Sequence, residues 1–201
     1  MGKESEKIRI VPDANKKYFY NYPNNVVVVG VESNGQKNVM PVAWSTNLSY
    51  SPFLYGISVG LDRHTHKLLS DADSFTVNFV EFKYAQEIRT WGRSSGCETD
   101  KIRKFGIQIS RGKKTNAPIV DLAYCTFECA KKRQVLLGDH TLFVGEVRLI
   151  YIDRKAVGLD DTLNTEQILP LLYLGIDNYI TLNKNSRITL KHLPFYYKHK
   201  K

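Results

Sequence analysis

The apolar positions of this chain predict many short strands and few helices. Val26 to Val31 (VVVVGV) is almost wholly β-branched, which favours a strand buried on both sides or closing a barrel. Ser33-Asn34-Gly35 supplies the positive-φ residues of a primed hairpin turn, so the chain is expected to return antiparallel through Asn38 to Trp44. Pro41 has no N–H to give to a ladder and belongs at an edge or a bulge. Phe53 to Gly60 reads as the next strand and Phe75 to Val80 as another, with Phe75, Val77 and Phe79 on one face and Thr76 and Asn78 on the other. Between them, Thr65 to Asp71 has the length of a short helix, with Leu68 and Leu69 to bury and Asp62 or Thr65 as its cap.

Further on, Tyr84, Ala85, Ile88 and Trp91 stand at helical spacing and predict a second helix ending near Gly92. The stretch from Gly92 to Gly112, rich in Ser, Gly and charge, reads as loop and short helix, a flap over a binding site. Ala123, Cys125, Phe127 and Cys129 then alternate with Tyr124, Thr126, Glu128 and Ala130, the period of a half-buried strand. Lys131 to Arg133 reads as a basic turn, and Gln134 to Leu137 and Thr141 to Asp153 as strands joined by Gly138-Asp139-His140. After an acidic surface loop, Gly158 to Glu166, the runs Ile168 to Leu174 and Asn178 to Leu182 give two last strands around Gly175. The sum is a mainly β, antiparallel barrel with peripheral helices.

Composition narrows the class. At 201 residues the chain fits one domain with a sizeable core. Its formal charge of +9 is concentrated in Lys101 to Lys114, which holds six basic residues and no acid, and in the basic tail Lys191 to Lys201. Charge runs are usually solvated surface, so this reading is favoured over nucleic-acid binding, and a basic chain also suits an anionic small ligand. No apolar run approaches the roughly 20 residues of a membrane span, and Met1 to Arg9 lacks the apolar stretch of a signal peptide, so a soluble, cytoplasmic protein is expected. Cys97, Cys125 and Cys129 are odd in number and lack CxxC spacing, which argues for reduced thiols, two of them in the core, rather than a disulfide framework or a zinc ribbon.

The common chemical signatures are missing. There is no GxGxxG, Walker loop, HExxH or GxSxG, and His64 and His66 lack the further ligand that a metal site needs. His140, alone in a turn, is by itself more often a solvated or capping residue than a catalyst. Yet NVMPVAWSTNLSYSP, DRHT, SFTVNF, SSGCETDK, GDHTLFVGEV and PLLYLG with Tyr179, in that order, resemble the flavin reductase-like, FMN-binding split-barrel family, especially its flavoredoxin-type branch. Two positions depart from the family: Pro41 stands where Thr is usual, and Phe53 replaces the second Pro of Ser-x-Pro-Pro.

The resemblance spans about Asn25 to Leu182 and implies a Greek-key split barrel over 25–182, an N-terminal extension over 1–24 and a basic tail over 183–201. It implies that FMN is held by Asn38, Trp44, Ser45, Thr46, Ser49, Arg63, Thr65, Asn78 and Lys101, with Arg63, Thr65 and Lys101 on the phosphate and Trp44-Ser45-Thr46 along the isoalloxazine edge. It places His140 beside the flavin, as the candidate catalytic residue of a reductase taking hydride from NADH or NADPH in a homodimer. A flavoredoxin-like carrier that holds FMN and passes electrons to a protein partner is the alternative.

Overall fold

Val27, Val29 and Val31 enter one apolar core while Val26 and Val28 enter a second, so nearly every residue of the run must be apolar. The computed structural model describes residues 18–188 and residue 190; the expected tail beyond them and all but the last residues of the expected N-terminal extension lie outside the described residues. The strands are β1 (Asn24–Asn25), β2 (Val27–Ser33), β3 (Gln36–Val42), β4 (Ser45–Ser49), β5 (Leu54–Gly60), β6 (Ser74–Phe79), β7 (Ile109–Arg111), β8 (Pro118–Val120), β9 (Cys125–Leu137), β10 (His140–Ile152), β11 (Leu172–Gly175) and β12 (Asn178–Ile180). The helices are α1 (His64–Asp71), α2 (Ala85–Gly92) and α3 (Lys101–Lys104).

Seven strands form one antiparallel sheet in the order β3-β2-β6-β9-β10-β5-β4, coiled as a split β-barrel. The turn at Asn34-Gly35 has φ of 51° and 77°, both left-handed as expected, and sets the register Ser33↔Gln36. β3 is an edge strand, which is where Pro41 can sit without breaking a ladder. Phe75, Phe143 and Leu69 are fully buried inside the barrel, and burying each such side chain stabilises by about 1.5–3 kcal/mol. Ile88 and Trp91 of α2 close the second core against β2 and β3.

Several expectations need correction. α1 begins one residue earlier than expected, and neither Asp62 nor Thr65 caps it; Arg63 occupies the cap position without a side-chain bond. Thr65 instead turns inward and accepts a 2.7 Å hydrogen bond from Asn38 Nδ2. The return strand stops at Val42, and Ser45–Ser49 forms a separate edge strand. Lys131 to Arg133 is not a turn: β9 runs on through it with a bulge at Lys132, opposite Val144/Gly145, and a second irregularity lies in β10 at Arg148. Ile168 to Leu171 precedes β11 rather than joining it. β9 is also not half-buried, because the β7–β8 hairpin and its loop cover the second face, where Thr126 and Glu128 are buried. Of the cysteines, Cys129 is buried, Cys125 half-buried and Cys97 exposed, and burial pushes the Cys129 thiol up to about 12 and that of Cys125 to about 11. No described helix is long and apolar enough to cross a membrane.

Candidate functional site

The chain between β5 and α1 leaves the barrel rim at Gly60 and enters the helix through Asp62 and Arg63, so the α1 N-terminus, where His66 N already donates to Arg63 O at 2.9 Å, turns His64 and Thr65 to a cavity of about 680 Å³. One end of this cavity is lined by Asn38, Arg63, His64, Thr65, Ser94, Ser95, Gly96 and Lys101. Gly96 lies so close to the α1 entrance that a Cβ there would stand 2.7 Å from Asn38 Oδ1 and 2.8 Å from His64 Cδ2. Any larger residue would require the Asn38 and His64 side chains or the segment itself to shift.

Lys101 is 3% exposed, and its Nζ donates to Trp91 O at 3.2 Å. Burial lowers its pKa to about 8. The C-terminal carbonyl of α2 is a suitable resting place for a cation, but it leaves the charge without a neutralising anion. An anion entering the cavity beside Arg63 and the α1 N-terminus therefore meets charge, dipole and hydroxyl donors together.

Trp44 forms the middle wall. It is 37% exposed, its Nε1 donates to Tyr22 OH at 2.6 Å, and its ring lies against the His140 imidazole at 4.7 Å and 34°. His140 Nδ1 is 2.7 Å from Asp139 Oδ1, and that contact holds the Asp139 carboxyl below its ordinary range. Because His140 pairs with Gly60 across the β5–β10 ladder, the hairpin turn carries its imidazole to the same rim as Arg63. On the far side of Trp44, a smaller hollow of about 340 Å³ is lined by Tyr22, Ser45, Thr46, Gly56, Ser58 and Leu142.

The structure thus brings Asn38, Arg63, Thr65, Lys101, Trp44 and His140 to one cavity and Ser45 and Thr46 to the hollow adjoining it. It does not bring Ser49 or Asn78 there. Ser49 ends β4 outside both hollows. Asn78 is fully buried: Nδ2 donates to Val28 O and Thr76 Oγ1, both at 2.8 Å, and Oδ1 accepts from Val120 N at 3.0 Å and Thr126 Oγ1 at 2.9 Å. These bonds make it a rivet between β2, β6, β8 and β9, and the expectation that it contacts a ligand is corrected. His66, two residues past His64, turns away to Thr141 Oγ1 at 2.8 Å, and burial lowers its pKa.

Sequence reasoning also missed the other end of the cavity, where Phe19, Tyr22, Tyr173, Tyr179, Arg89, Arg93 and Asp177 converge. The four-residue spacing of Arg89 and Arg93 along α2 was a usable signal for a shared face. Their acidic partner, 84 residues beyond Arg93, left none.

A split barrel whose rim joins a cationic, anion-seeking end to an aromatic wall with hydroxyls is the arrangement of a flavin-binding class. Residues 19–179 match the model of the flavin reductase like domain, and the chain belongs to that family. A curated NADH-dependent FAD reductase of Streptomyces globisporus is 30% identical over 135 residues, 66% of this chain and 71% of that protein. An FMN-binding protein of Thermus thermophilus, solved with 1-cyclohex-2-enone bound, superposes with a TM-score of 0.75 at 29% identity, covering 90% of this chain and 96% of that one. Flavoredoxin from Methanosarcina acetivorans shares the fold, with a TM-score of 0.80 at 23% identity over 93% of this chain and 97% of that one.

Proposed function

We propose that this protein binds FMN in the rim cavity and is an NAD(P)H-dependent flavin reductase. The observation that carries this reading is the joining of two unlike ends in one continuous site: Arg63, Lys101 and the α1 entrance on one side, Trp44 and His140 on the other. The residues fit the cofactor. Arg63, Lys101 and the Thr65 hydroxyl neutralise and bond a phosphate dianion without a glycine-rich loop. Trp44 supplies an apolar flank for a ring system, and the hydroxyls and amides of Ser45 and Thr46 supply bonds for its polar edge. FMN, when bound, supplies the N5 atom that accepts hydride from nicotinamide C4.

The task left to the chain is geometric. His140, stacked on Trp44 and with Nδ1 held by the Asp139 carboxylate, presents its imidazole ring at the rim where a second reactant must approach. Replacing His140 by Ala is expected to slow flavin reduction by NADH or NADPH by roughly ten- to a thousandfold with little change in FMN affinity, the range for one positioned polar group. Stopped-flow reduction of the variant at the wild-type rate removes His140 from the mechanism.

We also infer a homodimer in which flavin content and assembly are linked. Leu48 on β4, Leu61 just past β5, and Leu136 and Leu137 at the end of β9 are exposed, and a second copy would cover them. A ligand that binds only the assembled state favours it by mass action. Sedimentation is expected to show a dimer that loosens when flavin is stripped; a stable monomer that keeps its FMN contradicts this.

A further inference from the structure

The strand that carries the Trp44-Ser45-Thr46 wall is weakly anchored. β4 lies at the edge of the sheet with β5 as its neighbour; Thr46, Asn47 and Leu48 are exposed and Ser45 and Ser49 half-buried, so no buried side chain holds it. Its ladder starts where Trp44 O accepts from Ser58 N at 2.8 Å, continues through Ser45↔Ile57, Thr46↔Gly56 and Asn47↔Tyr55, and slips between Asn47 and Ser49. Among the described residues one side-chain hydrogen bond ties this strand to the core, that between Ser45 Oγ and Tyr55 OH at 3.0 Å.

Tyr55 makes that bond from inside the barrel. It is 5% exposed and lines neither hollow, and its ring meets Phe79 at 6.0 Å and Phe127 at 5.5 Å, edge-on to both. Phenylalanine fills the same place without the cost of burying a hydroxyl, so what the oxygen adds is the bond to Ser45. Burial raises the Tyr55 pKa, opposed only in part by the Ser45 bond, and the phenol stays protonated at neutral pH. Its hydrogen has Ser45 Oγ as its acceptor among the described residues, so Tyr55 donates and Ser45 accepts. The Ser45 hydrogen is thereby left for a partner outside the pair, and Ser45 lines the hollow beside Trp44.

We propose that Tyr55 is a positioning residue for this wall: acting through Ser45, it fixes the start of β4 and makes the Ser45 hydroxyl a donor to the ligand's ring. Tyr55 itself touches no ligand. An unheld serine offers a ligand either its oxygen or its hydrogen, whereas one whose oxygen already accepts offers the hydrogen. The place beside Ser45 therefore selects a ring carbonyl oxygen or an unprotonated ring nitrogen and disfavours a ring N–H. That the ring is a flavin rests on the proposed function; the anchoring of β4 by Tyr55 does not.

Tyr55→Phe, Ser45→Ala and the double variant of the full chain test this in two measurements. In the flavin-free proteins, hydrogen–deuterium exchange over residues 44–49 is expected to quicken by about three- to tenfold in all three variants, the factor for one lost hydrogen bond, with β6 and β9 unchanged. In fluorescence titrations, Tyr55→Phe is expected to weaken FMN and riboflavin equally, by about three- to tenfold, because the phosphate is not involved. Ser45→Ala should weaken both at least as much, and the double variant no more than Ser45→Ala, since Tyr55 acts through Ser45. A substitution that acts through packing alone instead spreads faster exchange to β6 and β9, where Phe79 and Phe127 stand, and adds to the Ser45 effect. That pattern, β4 exchange at the wild-type rate in Tyr55→Phe, or flavin affinities that Tyr55→Phe leaves unchanged, overturns the proposal. FMN that binds none of the proteins, with the exchange pattern as expected, overturns the flavin reading and leaves the anchoring of β4 standing.

Discussion

FMN is expected to bind on the order of a hundredfold or more tightly than riboflavin. The two ligands differ only in the phosphate, which on the proposed reading is bound by Arg63, Lys101, the Thr65 hydroxyl and the N-terminus of α1, all of which line the cavity. Each charge-assisted bond contributes about 1.5–3 kcal/mol, so the two cations alone account for a factor of this size. Lys101 adds a pH signature. With its pKa lowered to about 8 by burial, the amine is cationic below that pH and neutral above it. A phosphate ligand stabilises the cation, so FMN affinity is expected to fall by roughly tenfold or more as pH rises from 7 to 10, while riboflavin affinity stays level and Lys101→Gln abolishes the slope. Fluorescence titration reads both; equal affinities for the two flavins at pH 7 contradict the phosphate assignment.

Glu128→Ala is expected to lower stability by about 3 kcal/mol, and hence the melting temperature by about 6–12 °C, the largest effect foreseen for any single substitution here. Glu128 is 0% exposed on the face of β9 that sequence alternation assigned to solvent. Oε1 accepts from Lys114 N at 2.8 Å, from Thr115 Oγ1 at 2.9 Å and from Thr115 N, and Oε2 accepts from Tyr151 OH at 2.7 Å. Burial pushes the carboxyl pKa up, but the bonds from Tyr151, Thr115 and Lys114 outweigh it and leave the pKa below its ordinary value. A carboxylate lowered in the folded state contributes stability that is present above its unfolded pKa and lost as pH falls through the folded one. The wild type should therefore lose stability on acidification below about pH 4.3, the ordinary glutamate value, and Glu128→Gln should show less of that loss while keeping most of the stability at pH 7. Urea unfolding at pH 7 and pH 3.5 separates the three proteins; an alanine variant as stable as wild type shows that water replaces the carboxylate without cost.

What was legible in the chain was local. The valine run, the Asn34-Gly35 turn and the Phe75, Val77, Phe79 alternation each state their structure within a few residues, and the ordered family segments singled out Arg63, Thr65, Lys101 and His140, which line one cavity in the structure. The failures were at long range. Asn78 reads as a ligand contact and Glu128 as the polar face of a half-buried strand until the β7–β8 hairpin, most of it beyond the expected flap, folds over them. The Arg89, Arg93 and Asp177 cluster joins a helix to a turn in the last hairpin, and no periodicity connects those segments. β9 was broken in the sequence reading at three consecutive basic residues, because a charged run resembles a turn unless its partner β10 is known.

The central claim, that this chain is an FMN-binding reductase, is tested most directly by following the visible absorbance of the FMN-loaded protein under anaerobic conditions on mixing with NADH and with NADPH. The account predicts flavin absorbance that survives extensive dialysis or is restored by stoichiometric FMN, and rapid bleaching by at least one of the two donors. A protein that takes up no flavin contradicts the account outright, and a yellow protein that neither nicotinamide bleaches contradicts the reductase assignment and favours an electron carrier.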